Sequence, residues 1–396
     1  MERHIEELFA ITRFALAKKP YLEPITDFKK LFTAARENGL SGLFYPVLKD
    51  NDSVDDEEKL LLKEYYLYQT KDIAQTKTAQ LVSKLFSDIQ ADHAFLKGMA
   101  IKKYYPETYM RSMGDIDILI QPEALADSKS ILQKHGFKLH SEGSTHDVYF
   151  KGKGLMLEVH PGVDHHLDPK HVSALGSVFA DAISLGDHQY ELAPEKQLLY
   201  LLAHLHKHFL SSGIGLRQVL DIGVFLTAKE KEMDIGKLHS LLDHAGLTRF
   251  ANSMIAFNNR AVGFTAGKAI LGDFVIDENL FEDTAAFVIS AGIHGTADDF
   301  NKSVPALTKH SLKANKTRGS KRRYLLQVLF PKRDDLMAGE KYLKKHGWLL
   351  PYAWVKRWFR LAFKKTKRSI YKLKSLNVEK EVIEEQVSLY QRLGIK

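Results

Sequence analysis

A chain of 396 residues that is 44% hydrophobic and 27% charged, with a net charge of +8, is long enough for two or three domains with their own cores. Cysteine is absent, which excludes a disulfide framework and thiolate-based metal or nucleophile chemistry and fits a reducing, cytoplasmic setting. No apolar run reaches the ~18 residues of a membrane span. The acidic start of the chain (Glu2, Glu6, Glu7) does not match a cleaved leader, so the expectation is a soluble protein, peripheral to a membrane at most.

Residues 1–90 read as a helical support. Ile5, Leu8, Phe9, Ile11 and Leu16 form one apolar face, Phe28 to Asn38 a second helix, and Ser53 to Gln90 a long third region with Glu57 and Glu58 in its first turn. Nothing in this region carries recognisable chemistry.

Residues 91–192 do. Phe95-Leu96 reads as the end of a short strand, Gly98 permits a tight turn, and Met99 to Tyr105 begins a helix. Such a turn presents backbone N–H groups to an anion, Lys97 adds a point charge, and Arg111 could grip a second phosphate oxygen with both arms. The alternative reading is that Lys97 and Arg111 only neutralise Asp115 and Asp117. Ile116, Ile118 and Ile120 then alternate with Asp115, Asp117 and Leu119, a strand pattern that puts both aspartates on one face, about 7 Å apart. Carboxylates so placed repel unless a cation sits between them, and hard oxygen ligands suit Mg²⁺.

Pro122 and Glu123 open a helix to about His135, Gly136 stops it, and Phe137 to His140 begins another strand. His146–Phe150 and Leu155–His160 make a hairpin-like pair, whose second strand carries Glu158 among apolar neighbours as a third carboxylate. His146 and His160 are read either as structural, hydrogen-bonded histidines or as groups that position an acceptor or phosphate. The order of elements implies a small mixed sheet with helices, an α+β core.

Lys97-Gly98, Arg111, Gly114-Asp115-Ile116-Asp117 and Glu158-Val159-His160 together resemble the signature of the uncharacterised nucleotidyltransferase family, a branch of the polymerase-β-like nucleotidyltransferase superfamily. The Lys97-Gly98 start and Arg111, just before the aspartates, are also similar to abortive-infection toxin nucleotidyltransferases. Better-known members carry Gly-Ser where this chain has Lys97-Gly98, so their phosphate contacts do not transfer. The resemblance implies that Asp115, Asp117 and Glu158 hold one or two Mg²⁺ ions and do the catalysis. It also implies that Lys97, Gly98, Arg111, Ser112 and Gly114 surround a nucleoside triphosphate.

From Pro194 the period is helical, over a third region, 193–300. Leu198, Leu199, Leu201, Leu202 and Leu205 pack inward, while His204 and His208 lack the intervening glutamate of a zinc protease because position 205 is leucine. Gly215-Leu-Arg-Gln-Val-Leu-Asp221 is similar to a helical motif of the same family. Arg217 and Asp221 therefore face nucleotide or acceptor, or else form a buried pair clamping two helices. Asp234 is a cap for the helices that follow, and Asp298 to Ser320 reads as a polar, mobile loop.

The last region, 301–396, holds the basic surplus. Lys302 to Lys374 carries 22 Lys or Arg against 3 acids, so the remainder of the chain is net acidic. Pro351 opens a helix with Trp354, Trp358 and Leu361 at helical spacing and Lys356, Arg357, Arg360, Lys364 and Lys365 elsewhere around it. That helix would lie on an anionic membrane surface, bind nucleic acid phosphates, or pack its aromatics inward; Leu-Phe-Pro at 329–331 and Leu-Leu-Pro at 349–351 resemble the family's C-terminal pattern and favour packing. The expectation is a Mg²⁺-dependent transfer of a nucleoside monophosphate to an unidentified acceptor. The alternatives are a non-catalytic nucleotide-binding regulator and a basic membrane- or nucleic-acid-associated adaptor.

Overall fold

The computed structural model describes residues 1–143, 146–152, 154–163, 167–211, 213–293, 303–314, 326, 329–337, 340–363 and 380–395. Helices come first: α1 (Arg3–Leu16), α2 (Phe28–Glu37), α3 (Phe44–Leu48) and α4 (Glu58–Asp88). Asp27 starts α2 by accepting a bond from the Lys30 amide. The 31 residues of α4 extend about 46 Å at ~1.5 Å per residue.

Strands β1 (His93–Phe95), β2 (Asp115–Ile120), β3 (Lys138–Glu142), β4 (Asp147–Lys151), β5 (Leu155–His160), β6 (Ile183–Gly186) and β7 (Gln189–Glu191) follow. Among the described residues they make one mixed sheet in the order β3-β4-β5-β2-β1-β7-β6. Strand β2 runs parallel to β5 and antiparallel to β1, so the two motif strands are direct neighbours. The protein is α+β, as the pattern of elements implied. The helix expected at Met99–Tyr105 is instead α5 (Lys97–Ile101), which tightens into a 3₁₀ turn at Lys102–Tyr104. After β2, a 3₁₀ turn at Pro122 leads into α6 (Leu125–Lys134).

The β6–β7 hairpin and α7 (Pro169–Leu175) had not been anticipated. All four β6 residues are exposed, so no alternation marks the strand. The hairpin is closed instead by Asp187 and His188, both at positive φ, as a tight two-residue turn requires.

The helices α8 (Pro194–Phe209), α9 (Leu216–Lys229), α10 (Ile235–Ala245), α11 (Thr248–Val262), α12 (Lys268–Leu271) and α13 (Glu278–Ala291) complete the centre of the chain. Asp234 caps α10, as its position suggested. Two cores result. Ile116, Ile118 and Ile120 of β2, with Leu157 and Val159 of β5, pack on Ala79, Val82, Leu85 and Phe86 of α4. The larger core joins α8 to α13 with Leu8, Ile11, Leu31, Phe44 and Leu61 from the N-terminal helices, and with Tyr390 and Leu393 near the C-terminal end. Helix α4 belongs to both, through Leu61 in one and Val82 in the other.

Within the stretch expected to be a polar loop, Ser303–Ala314 is a helix. Val304 and Leu307, one turn apart, find Ile383 of the C-terminal helix Lys380–Leu393 and so give that segment an apolar seam. The rest of 298–320, like Lys364 and Lys365, lies outside the described residues. The helix opened by Pro351 spans Leu350–Phe363. No described helix is long and apolar enough to cross a membrane.

Asn38, fully buried, ties three segments together. Its Nδ2 donates to the Ala34 and Ile289 carbonyls and its Oδ1 accepts the Leu216 amide, the first of α9. Replacing it strands that amide and the Ile289 carbonyl in an apolar setting. Asn38→Ala is expected to lower the unfolding free energy by about 2–4 kcal/mol in urea titrations.

Candidate active site

The site is built on the face of β2 and β5 opposite α4. With the isoleucines committed to the sheet core, Asp115 and Asp117 must project the other way. The parallel register sets Asp117 directly beside Glu158 and Leu119 beside His160. One oxygen from each of Asp115, Asp117 and Glu158 lies within 4.8 Å of the others, close enough to share a cation. A second trio, His146, Glu158 and His160, meets the same distance limit, with Glu158 common to both.

Asp117 is almost fully buried and accepts two bonds on one oxygen, from Lys97 Nζ at 2.5 Å and His160 Nε2 at 2.9 Å. Burial alone would raise its pKa, but Lys97 and then His160 outweigh that and hold the carboxyl well below its usual range. Burial works against the charged forms of both partners too. Asp117 nevertheless raises the pKa of Lys97, and Asp117 with Glu158 raises that of His160. Asp115 gets the opposite treatment. Burial, and then the neighbouring Asp117 and Glu158 charges, push its carboxyl up to about 6, with only partial relief from Lys97.

Lys97 reaches Asp117 from a left-handed backbone, φ +49°, which a side chain adopts at a cost of roughly 1–2 kcal/mol. The next residue must be glycine for a packing reason. A Cβ on Gly98 would stand 2.6 Å from Met113 Sδ and 3.3 Å from Arg111 Cζ. Met113 and Arg111 thus take the space beside Gly98, which itself lines the cavity with Lys97 and Gly114. Gly114 has open space beside it and lines the cavity with Asp115.

Arg111 is engaged within the protein. Its Nε and Nη2 donate to the two oxygens of Asp221, each at 2.6 Å, and its Nη1 donates to the Ser112 carbonyl. Tyr105 donates to the same Asp221 oxygen at 2.9 Å. Its carboxylate partner is Asp221 rather than a motif aspartate, and the two make a buried bidentate pair at the cavity. The clamp foreseen between Arg217 and Asp221 is thus made with Arg111. Arg217 donates from Nη1 to the Ser112 hydroxyl at 3.0 Å, and that hydroxyl donates to the Gly39 carbonyl. Among the described residues the buried Arg217 Nε has no acceptor. Burial, and then the nearby Arg111 charge, lower the Arg217 pKa to about 10.

These groups surround a cavity of about 210 Å³. Lys97, Asp115, Asp117, Glu158 and Arg217 line one part of it, and α8 closes it with Leu201, His204, Leu205 and His208. His204 and His208 face one another, their Nε2 atoms 2.9 Å apart. His146 Nε2 is 3.7 Å from Glu158, with its pKa lowered by burial, so it is neutral near pH 7.

The N-terminal helices had looked chemically silent, yet the Gly39 carbonyl supports Ser112, and Gln75 of α4 donates to the Met113 carbonyl just before β2. No local pattern marks Gly39 or Gln75. Their roles depend on segments about 40 to 70 residues away.

The Asp115 carboxyl stays protonated in the folded protein at pH values where the unfolded chain, near 3.8, has released its proton. Stability therefore falls as pH rises from about 4 to about 6, and the loss is complete above that. With divalent cations chelated, Asp115→Asn is expected to be more stable than the native chain by roughly 1–3 kcal/mol at pH 8 and equal to it at pH 4. Urea titrations at the two pH values check this; a less stable variant at pH 8 would show that Asp115 is already compensated.

No curated protein and no solved structure matches the chain. A family match does exist: the family described as uncharacterised nucleotidyltransferase matches residues 24–263, which takes in α2 to α11, the whole sheet and every residue of the cavity. With more than half its length in that match, and the three carboxylates, Lys97 and the Arg111–Asp221 pair all inside it, the chain belongs to the uncharacterised nucleotidyltransferase family.

Proposed function

We propose that this protein transfers a nucleoside monophosphate from a nucleoside triphosphate to an acceptor oxygen, releasing pyrophosphate, with Mg²⁺ held by Asp115, Asp117 and Glu158. The observation that carries this reading is the meeting of three carboxylate oxygens within 4.8 Å, beside Lys97 and in a cavity that Arg217 also lines. An all-oxygen donor set of this kind suits one or two magnesium ions, and the raised Asp115 pKa is what such a trio shows without a cation between its members. Bound there, the metal supplies positive charge to the entering and leaving oxygens.

The chain's own residues do the rest. Lys97 and Arg217 bind the triphosphate; Arg217 is suited to it because its Nε is not spent on any described residue. Arg111 and Asp221 hold that end of α9 in place, and Ser112 orients Arg217. Gly114 leaves room beside Asp115. Glu158 takes the proton from the acceptor as its oxygen bonds to the α-phosphorus and the bond to the β-phosphate oxygen breaks. Lys97 and then His160 keep Asp117 ionised, while neutral His146 stands next to Glu158 to receive or orient that proton. The acceptor is a small molecule, a sugar or lipid-linked intermediate, a protein side chain or an RNA end.

Calorimetry with each of the four ribonucleoside triphosphates tests this. One of them is expected to bind only when Mg²⁺ is present, and Asp115→Ala/Asp117→Ala is expected to lose that binding at least 100-fold. Equal binding by the two proteins would refute the assignment. Metal-dependent binding without pyrophosphate release across acceptors of all four kinds would make the protein a nucleotide-binding regulator.

A further inference from the structure

The helix Leu350–Phe363 presents two different faces. Its inner face is anchored: Ala353 is buried with Leu336 and Leu343, and Trp354 and Trp358 donate to the Pro331 and Leu329 carbonyls at 2.9 and 2.7 Å. The Phe330 ring sits edge-on between the two indoles, 5.3 and 5.1 Å from them. Of the readings open to these aromatics, Trp354 and Trp358 take the packed one, against the segment 329–331. Different residues occupy the outer face. Tyr352, Val355 and Phe359 are 59%, 42% and 60% exposed, and Trp348, in the turn leading into the helix, is 77% exposed. At about 100° per residue, 352, 355 and 359 fall within an arc of about 60°, so they form one apolar strip.

We propose that this strip is a docking surface for an anionic lipid bilayer. Charge complementarity selects the occupant. The strip lies inside the stretch Lys302–Lys374, with its 22 basic and 3 acidic residues; Lys356, within the strip's span, is paired with Glu340 at 2.7 Å, and Arg360, Lys364, Lys365, Lys367 and Arg368 follow the strip in sequence. An interfacial helix buries an apolar face at the boundary between headgroups and acyl chains and sets cations among anionic headgroups, with Trp and Tyr at that depth. Nucleic acid would reward the cations but would leave Val355 nothing apolar to bury against. A second copy of the chain would bring two strongly basic stretches together.

Flotation of the full-length protein with vesicles of phosphatidylcholine alone, and of phosphatidylcholine with one quarter phosphatidylglycerol, tests the proposal. Binding is expected only to the anionic vesicles, weakening in high salt. Tyr352→Glu/Phe359→Glu is expected to reduce it at least tenfold while circular dichroism and melting temperature stay native, because both side chains are outside the core. A blue shift of tryptophan emission on binding, reduced in Trp348→Phe, would place the strip itself in the bilayer. Unchanged vesicle binding by the Glu variant would overturn the proposal. So would oligonucleotide binding without vesicle binding, and so would self-association abolished by the same substitutions.

Discussion

The buried pair of Arg111 and Asp221 is the interaction on which the site depends. The two residues stand 110 positions apart, one in the turn before β2 and the other on α9, and both carboxylate oxygens are engaged by one guanidinium. Tyr105 and the Ser112 carbonyl complete the shell, so the charges are satisfied without water. Removing either partner would leave an uncompensated charge inside the protein, commonly a loss of about 3–5 kcal/mol. The pair decides where the helical core meets the sheet, and with it the distance between Arg217 and the carboxylates. Ser112 extends the network to Gly39, so three distant parts of the chain are held in one register.

Within that frame the charges are shared unequally. Lys97 and His160 both serve one oxygen of Asp117, which stays ionised, while Asp115 is left with two like charges nearby and a pKa of about 6. Among the described residues Arg217 carries a buried charge with a donor to spare. A surplus carboxylate and a surplus guanidinium lining one small cavity are the arrangement that a ligand of mixed charge, metal with phosphate, would complete. The left-handed Lys97 and the glycine after it make this possible, since the sharp turn aims the ammonium at Asp117 while Met113 and Arg111 fill the space beside Gly98.

Helix α4 gives the frame its stiffness. One end contributes Leu61 to the helical core and the other contributes Val82, Leu85 and Phe86 beneath the sheet, so the two cores share one rigid element. Gln75, between them, bonds the turn that leads into the aspartate strand. Support and site are therefore mechanically continuous.

Much of the site was legible in the amino-acid order. Alternation of isoleucine and aspartate in β2, and of apolar residues with Glu158 and His160 in β5, dictates which side chains share a face, because a strand has a period of two whatever surrounds it. Helical periodicity likewise placed α8 and its buried leucines. What a local pattern cannot encode is which distant partner a charge will meet. Arg111 could have faced phosphate, a neighbouring aspartate or Asp221, and only the docking of α9 against the turn before β2 decides for Asp221. The helix Leu350–Phe363 shows the same limit: its sequence has aromatics on more than one side, and the contact with Phe330 determines that Trp354 and Trp358 pack against the 329–331 segment while Tyr352 and Phe359 remain at the surface. Period follows from backbone geometry and is written locally; partnership follows from packing, and needs the whole fold.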